Sequence, residues 1–114
     1  MYEVIIEGIR GSSYTGDMAI DDFKLVAGPC SSTFICNFDG STCGFTQDTT
    51  DKFDWTRNKG NTSSFQTGPS SDHTTGQGYY MYTETSSPRN PGDVARLKGR
   101  CNSAGTCVLR YIIT

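Results

Sequence analysis

The sequence predicts an all-β, antiparallel sandwich, and three observations carry that prediction. Apolar residues repeat with a period of two almost everywhere. No stretch of eleven residues holds a helical stripe. Turn formers recur at roughly 8–12-residue spacing, the rhythm of short strands joined by tight connections.

Residues 2–9 (YEVIIEGI) read as a strand with Val4 and Ile6 in alternation, and 11–16 as a Ser/Gly turn. Residues 18–26 (MAIDDFKLV) read as a second strand interrupted by an acidic pair, and the two strands as a hairpin. Gly28-Pro29-Cys30 stops the run, and 31–33 is a short tether. Phe53-Asp54-Trp55-Thr56 is a strand carrying the single Trp. Residues 58–78 are polar and turn-rich, long enough to be a structured surface loop. Aromatic content marks 79–85 (YYMYTET) as a strand. Pro88 and Pro91 bracket a turn, 93–98 is a further strand, and 107–114 (CVLRYIIT) is another.

The chain has 114 residues, the size of one ordinary domain or parts of two. Hydrophobic residues make up 34%, below the norm of roughly 45–50% (which counts Gly), so the core is thin. Net charge is −2, with both signs scattered singly. That excludes a nucleic-acid surface, which needs clustered Lys and Arg, and an anionic-membrane binder, which needs a polybasic run. Five cysteines in so short a chain predict an oxidising, extracellular compartment. Their intervals of 6, 7, 58 and 6, with one His, do not give the paired spacing that zinc requires. An odd count leaves one thiol free, paired with another chain, or separated from its partner. Residues 1–11 (MYEVIIEGIRG) carry charges that an h-region excludes, and no apolar run reaches the roughly 20 residues of a membrane span. A secreted-type composition without a secretion signal predicts a piece of a longer protein.

From Cys36 the residues become specific. The run CNFDGSTCGFTQD, then FDWTR, TGPSSDHTTGQGYYMYTE and PGDVARL, resembles the opening half of a MAM domain, the extracellular module of meprins, neuropilins and receptor-type tyrosine phosphatases. The earlier block EGIRGSSYTGDMAIDDFKLVAGPC resembles the closing segment of the same module. The order is therefore inverted. The simplest account divides the chain into 1–30, the C-terminal segment of one MAM unit; 31–35, a linker; and 36–114, the N-terminal part of the next. Circular permutation is the rarer alternative. The resemblance implies a jelly-roll β-sandwich, incomplete or permuted, at the cell surface in a larger, membrane-anchored protein. It also implies roles in adhesion or in holding receptor subunits together.

The resemblance further pairs Cys36 with Cys43, which bracket six residues rich in turn formers. A loop so short closes without strain if its ends approach to disulfide distance. It also matches Cys30 and Cys107 to a second bridge, which can form only if both blocks fold together. Cys101 departs from the pattern; local pairing with Cys107 and a free thiol both stay open. Some family members bind a cation, so Asp21, Asp22, Asp39 and Asp48, with Asp17 nearby, are candidate oxygen ligands for Ca²⁺. The alternative is surface carboxylates and turn formers. Adjacent strand residues point to opposite faces, so only one of Asp21 and Asp22 can face inward, where it needs a partner. No cofactor is otherwise required.

Asp72 and His73 beside Thr74 invite a triad, but three neighbours on one loop cannot reach that geometry, and no G-x-S-x-G elbow exists. No strand presents two acids in an aromatic cleft for glycoside cleavage. The chain is therefore expected to be non-catalytic. Trp55 fills the core; of Tyr79, Tyr80 and Tyr82, those on the other face can stack on a sugar or anchor a protein. Asn61-Thr62-Ser63 is an N-glycosylation sequon in the longest polar loop. Arg10, Arg57 and Arg96 are expected to pair with nearby acids. Two functions follow: an adhesion or assembly module contacting extracellular proteins or like MAM units, and a lectin-like jelly roll binding glycans.

Overall fold

The computed structural model describes residues 2–26 and 33–101. The described residues contain eight strands and no helix: β1 (Tyr2–Ile9), β2 (Met18–Ile20), β3 (Phe23–Val26), β4 (Thr33–Cys36), β5 (Thr46–Gln47), β6 (Thr56–Lys59), β7 (Tyr79–Thr83) and β8 (Val94–Cys101). All pairings are antiparallel. One sheet has the order β1-β8-β5, a second β2-β7-β6, and β3 and β4 form a two-stranded ribbon.

The two three-stranded sheets bury their inner faces together. Val4 and Ile6 of β1, Ala95 and Leu97 of β8, and Met81 of β7 join Phe23, Cys36, Phe38, Phe45, Phe53 and Trp55 in one cluster. The period of two read from β1 holds: Val4, Ile6 and Gly8 are buried while Glu3, Ile5, Glu7 and Ile9 are exposed. Two contacts explain glycines in strands, where the residue otherwise weakens the ladder. A Cβ on Gly99 would stand 2.4 Å from Cε1 of Phe45, and one on Gly8 2.9 Å from Cε of Met18.

Where strands partner differs from the local reading. Residues 2–9 and 18–26 do not form a hairpin. β1 pairs along its full length with β8, from Tyr2↔Cys101 to Ile9↔Val94, and β2 pairs with β7. Local sequence shows that each is a strand, but the partner is set by which apolar faces complete the core. The 18–26 run breaks at the acidic pair, where Asp22 takes φ of 49°, and β3 leaves the sheet to pair with β4. β4 occupies 33–36, so the interval read as a linker, 31–35, ends inside a strand. The strand expected at 53–56 begins only at Thr56. Phe53 and Trp55 point inward from irregular backbone, with Gln47 bridging the Trp55 amide and carbonyl at 3.0 and 2.7 Å.

The 58–78 loop is structured and lies over the outer face of β7. The Tyr80 hydroxyl donates to Gly60 O at 2.5 Å and accepts from Asn58 Nδ2 at 2.9 Å, while the Tyr82 hydroxyl meets Ser63 Oγ at 3.2 Å. Tyr80 and Tyr82 are thereby buried with Ala19 in a second small cluster. Segments resembling the end and the opening of the module thus interleave in one jelly-roll-like antiparallel sandwich.

Candidate functional site

Disulfide chemistry sits at the start of the second block. Cys36, at the end of β4, is bonded to Cys43 with Cα atoms 6.1 Å apart. The loop between them turns on Phe38 (φ 58°) and Cys43 (φ 53°), left-handed conformations that non-glycine residues adopt only when their surroundings enforce them. Phe38 is fully buried and Cys43 is crosslinked, which supplies that enforcement. Cys30 and Cys107 lie outside the described residues.

The next residue, Asp39, reaches across to the 72–79 loop. Its Oδ1 accepts the Tyr79 amide at 2.7 Å and its Oδ2 the Asn37 side-chain amide at 3.0 Å. Gly78 is required there, because a Cβ would stand 2.3 Å from Asp39 Oδ1. Arg57 donates to the carbonyls of Phe38 and Asp39 and stacks on Tyr79, its Cζ 3.7 Å from the ring centroid. A partly desolvated cation over a ring in this arrangement ties β6 to β7 and to the disulfide loop.

Asp72 organises the loop from within. Its Oδ2 accepts the Thr75 amide and hydroxyl at 2.8 and 2.9 Å, and its Oδ1 the Gly78 amide at 2.9 Å. The acidic pair between β2 and β3 clasps the loop from the opposite side. Asp21 Oδ2 accepts the His73 amide at 2.9 Å, while Asp22 takes the Thr74 hydroxyl and lies 3.5 Å from His73 Nδ1. Burial pushes the Asp21 carboxyl up, against the opposing pull of the His73 and Asp22 amides.

Two more carboxylates do the same work elsewhere. Asp17 receives the Thr85 amide and hydroxyl at 2.9 and 2.8 Å and the Thr67 hydroxyl at 2.7 Å. Glu84 receives Ser63, Ser64 and the Ser86 amide at 2.8, 2.6 and 3.0 Å.

Asp48 directly follows β5, beside the other sheet. It accepts the Thr50 amide and hydroxyl at 3.0 and 2.8 Å and faces Lys98 at 3.3 Å and Arg96 at 3.7 Å. The four candidate Ca²⁺ ligands therefore do not converge. Among the described residues no three His, Cys, Asp or Glu form a group able to hold a metal. The oxygens of each one accept amide or hydroxyl protons or face a cation. Of the three arginines, only Arg96 pairs with acids, Glu7 at 2.6 Å and Asp48. Arg10 is buried and binds the carbonyls of Thr85 and Gly11 instead, at 2.8 and 3.1 Å.

His73 and Asp72 form no catalytic relay, since Asp72 points to Thr75 and Gly78. A sugar-stacking platform is also missing at these tyrosines. Tyr80 and Tyr82 are buried under the loop, and Tyr79 is covered by Arg57. Asn61 is exposed. The sequence raised Asp72 only as a triad member, and Gly78 and Glu84 not at all. The Asp72-x-x-Thr75 spacing was the available signal, because Asp side chains cap turns in this way.

These bonds have a pH consequence. The Thr50 amide and hydroxyl hold Asp48 at about 2, against an ordinary 3.8. The Thr75 amide, with that of Gly78, holds Asp72 at about 2 as well. Burial raises Glu84, but the Ser64, Ser86 and Ser63 donors outweigh it and bring it to about 2 from 4.5. A carboxylate whose folded pKa is depressed contributes stability that is present above its unfolded value and lost as pH falls through the folded one. The midpoint of urea unfolding is therefore expected to hold level above about pH 5 and to fall steadily between about pH 4.5 and 2. Asp21, shifted the other way, opposes this weakly. A flat profile down to pH 2 would refute the assignment of these bonds to stability.

The comparisons agree with the geometry. The family model described as "MAM domain, meprin/A5/mu" matches residues 36–113. Human MAM domain-containing glycosylphosphatidylinositol anchor protein 1 is 45% identical over 102 residues, covering 78% of this chain and 11% of the relative. Human MAM domain-containing protein 2 is 42% identical over 78 residues, covering 62% of this chain and 11% of the relative. Mouse MAM domain-containing glycosylphosphatidylinositol anchor protein 2 is 50% identical over 70 residues, covering 56% and 7%. The chain thus spans about a tenth of the length of these curated relatives. No solved structure matches it. With a disulfide at the opening of the matched region and an antiparallel sandwich around it, the chain belongs to the MAM domain family.

Proposed function

We infer that this chain is a non-catalytic adhesion or assembly module of an extracellular protein, one unit of a larger, membrane-anchored parent that carries tandem MAM repeats. One observation supports the reading most directly: the carboxylates of the 17–22, 39 and 72–84 region are spent on holding loops in place. Asp17, Asp21, Asp39 and Glu84 each accept amide or hydroxyl protons from another loop or strand, and Asp72 accepts them from within its own loop. That fixes the loops against one another, which suits contact with other proteins. Two relatives named as glycosylphosphatidylinositol anchor proteins support placement at a membrane surface. Asn61 carries an N-glycan in this reading, on the loop that covers β7.

The test is a bead-aggregation assay with the chain expressed through a secretory pathway. Beads bearing the chain are expected to cluster with one another or with cells displaying relatives, and to do so in EDTA. Endoglycosidase treatment is expected to shift the mass of the wild type but not of Asn61→Gln. Beads that stay dispersed with every displayed MAM protein, or that bind a glycan surface instead, would refute the reading.

A further inference from the structure

Among the described residues Phe65 is the most exposed large hydrophobic side chain, at 87%, ahead of Ile35 at 64%. The loop that presents it is firmly built. The Thr62 hydroxyl donates to Thr67 O at 2.5 Å and closes residues 62–67 into a turn, and both threonines are buried. Ser63 and Ser64 donate to Glu84, and Ser64 also meets the Ser86 hydroxyl at 2.9 Å. Gln66 takes φ of 61°, a left-handed conformation that a non-glycine residue holds only where its surroundings impose it. The backbone around Phe65 is thus fixed, and an apolar side chain is held out to water.

Two further features of the same stretch say what that side chain meets. Asn61, the acceptor of the sequon Asn61-Thr62-Ser63, is exposed at the base of the closed turn. Phe65 follows it by four residues, at most about 14 Å of fully extended chain and less in a turn closed on itself. Residues 60–71 also carry no charged side chain. A neutral sugar suits that surround, whereas a protein partner steered by charge finds no counterpart in it.

We propose that the ring of Phe65 is the seat of this chain's own N-glycan: the N-acetylglucosamine core carried on Asn61 stacks on it. The C–H groups on one face of a pyranose are apolar and slightly positive, and the face of an aromatic ring is apolar and slightly negative. A loop already fixed gives up little conformational freedom on stacking, so ordering does not cancel the contact. A glycan held in this way shields the loop that covers Tyr80 and Tyr82 and keeps it out of protein interfaces. The inference rests on the glycosylation of Asn61 proposed above.

A four-way comparison tests it: secreted wild type, Asn61→Gln, Phe65→Ala and the double variant, each unfolded in urea. Both side chains are exposed, so neither change disturbs the core. The glycan is expected to raise the folding equilibrium constant several-fold when Phe65 is present and to leave it unchanged in Phe65→Ala. Phe65→Trp, with a larger ring face, is expected to keep the gain, and so is Ile35→Ala, at an exposed apolar site on β4. In proton NMR spectra of the glycosylated chain, protons of the first sugar are expected to move upfield over the ring and to return to ordinary positions in Phe65→Ala. A glycan effect that is the same with and without Phe65, or sugar protons at ordinary positions in the wild type, would overturn the stacking and leave the glycan in place. A wild type whose mass does not change on endoglycosidase treatment would overturn the stacking and the glycan together. Clustering of the beads can succeed or fail independently of either result.

Discussion

Replacing Trp55 with Ala is expected to cost about 3–5 kcal/mol, the range for truncating a large buried aromatic. Against a total stability of about 5–15 kcal/mol for a domain, that removes a large share of the margin. Trp55 is 4% exposed and belongs to the main cluster. Its indole Nε1 donates to Ala95 O at 3.1 Å, across the sheet interface into β8. The ring also lies 3.1 Å from where a Gly8 Cβ would sit, so β1 packs directly on it. Truncation thus removes apolar contact and one hydrogen bond together. Trp55→Phe separates the two: it keeps most of the packing and is expected to lose only about 1 kcal/mol with the indole hydrogen bond, because the Ala95 carbonyl keeps its place opposite Gly8 in the β1–β8 ladder. Urea titration followed by circular dichroism measures both. An alanine variant within 1 kcal/mol of wild type would mean that the residue does not join the sheets.

The second large effect is expected at Cys36 and Cys43. Changing both to Ser is expected to cost about 2.5 kcal/mol from loop entropy alone, since the bridge closes a loop of only about eight residues. The loss extends beyond that figure at one point, because the crosslink also holds the left-handed turn at Cys43 and the neighbouring Phe38. The Asp39 contact to the Tyr79 amide and the Arg57 contacts to Phe38 and Asp39 hang from the same loop. Hydrogen exchange is therefore expected to quicken at Tyr79 in the double variant, thirty-six residues from the nearer cysteine. Equal stability of the variant and the wild type in urea would remove the bridge from the account.

Several features could be read before any coordinates. The exposed Glu3, Ile5, Glu7 and Ile9 and the buried Val4 and Ile6 follow from strand geometry, because side chains alternate whatever the strand pairs with. Aromatic content marks 79–85 as a strand and 93–98 reads as another, where the structure has Tyr79–Thr83 and Val94–Cys101. Turn chemistry made 58–78 a structured loop. The Cys36–Cys43 bridge followed from the family resemblance.

Other features depend on residues distant in sequence. β1 could have paired with its sequence neighbour β2; it pairs with β8 instead, ninety-odd residues away, because Val4 and Ile6 complete a core with Ala95 and Leu97. Tyr80 and Tyr82 were legible as strand residues but not as buried ones, since their cover comes from a loop whose path no local pattern gives.

The carboxylates show the limit most clearly. Asp21, Asp22, Asp39 and Asp48 are alike in sequence, short acids in or beside turns, and could equally have been ligands. Their roles differ because each meets different partners in space. Asp39 meets an amide forty residues on, Asp48 a lysine fifty residues on, and Asp21 the 73 amide. The sequence by itself determined the strand faces and the family; the tertiary structure decided strand partners, which aromatics are covered, and what each acid binds. Alternation and turn preference act within a few residues, whereas burial and hydrogen-bond satisfaction are settled only when distant segments meet.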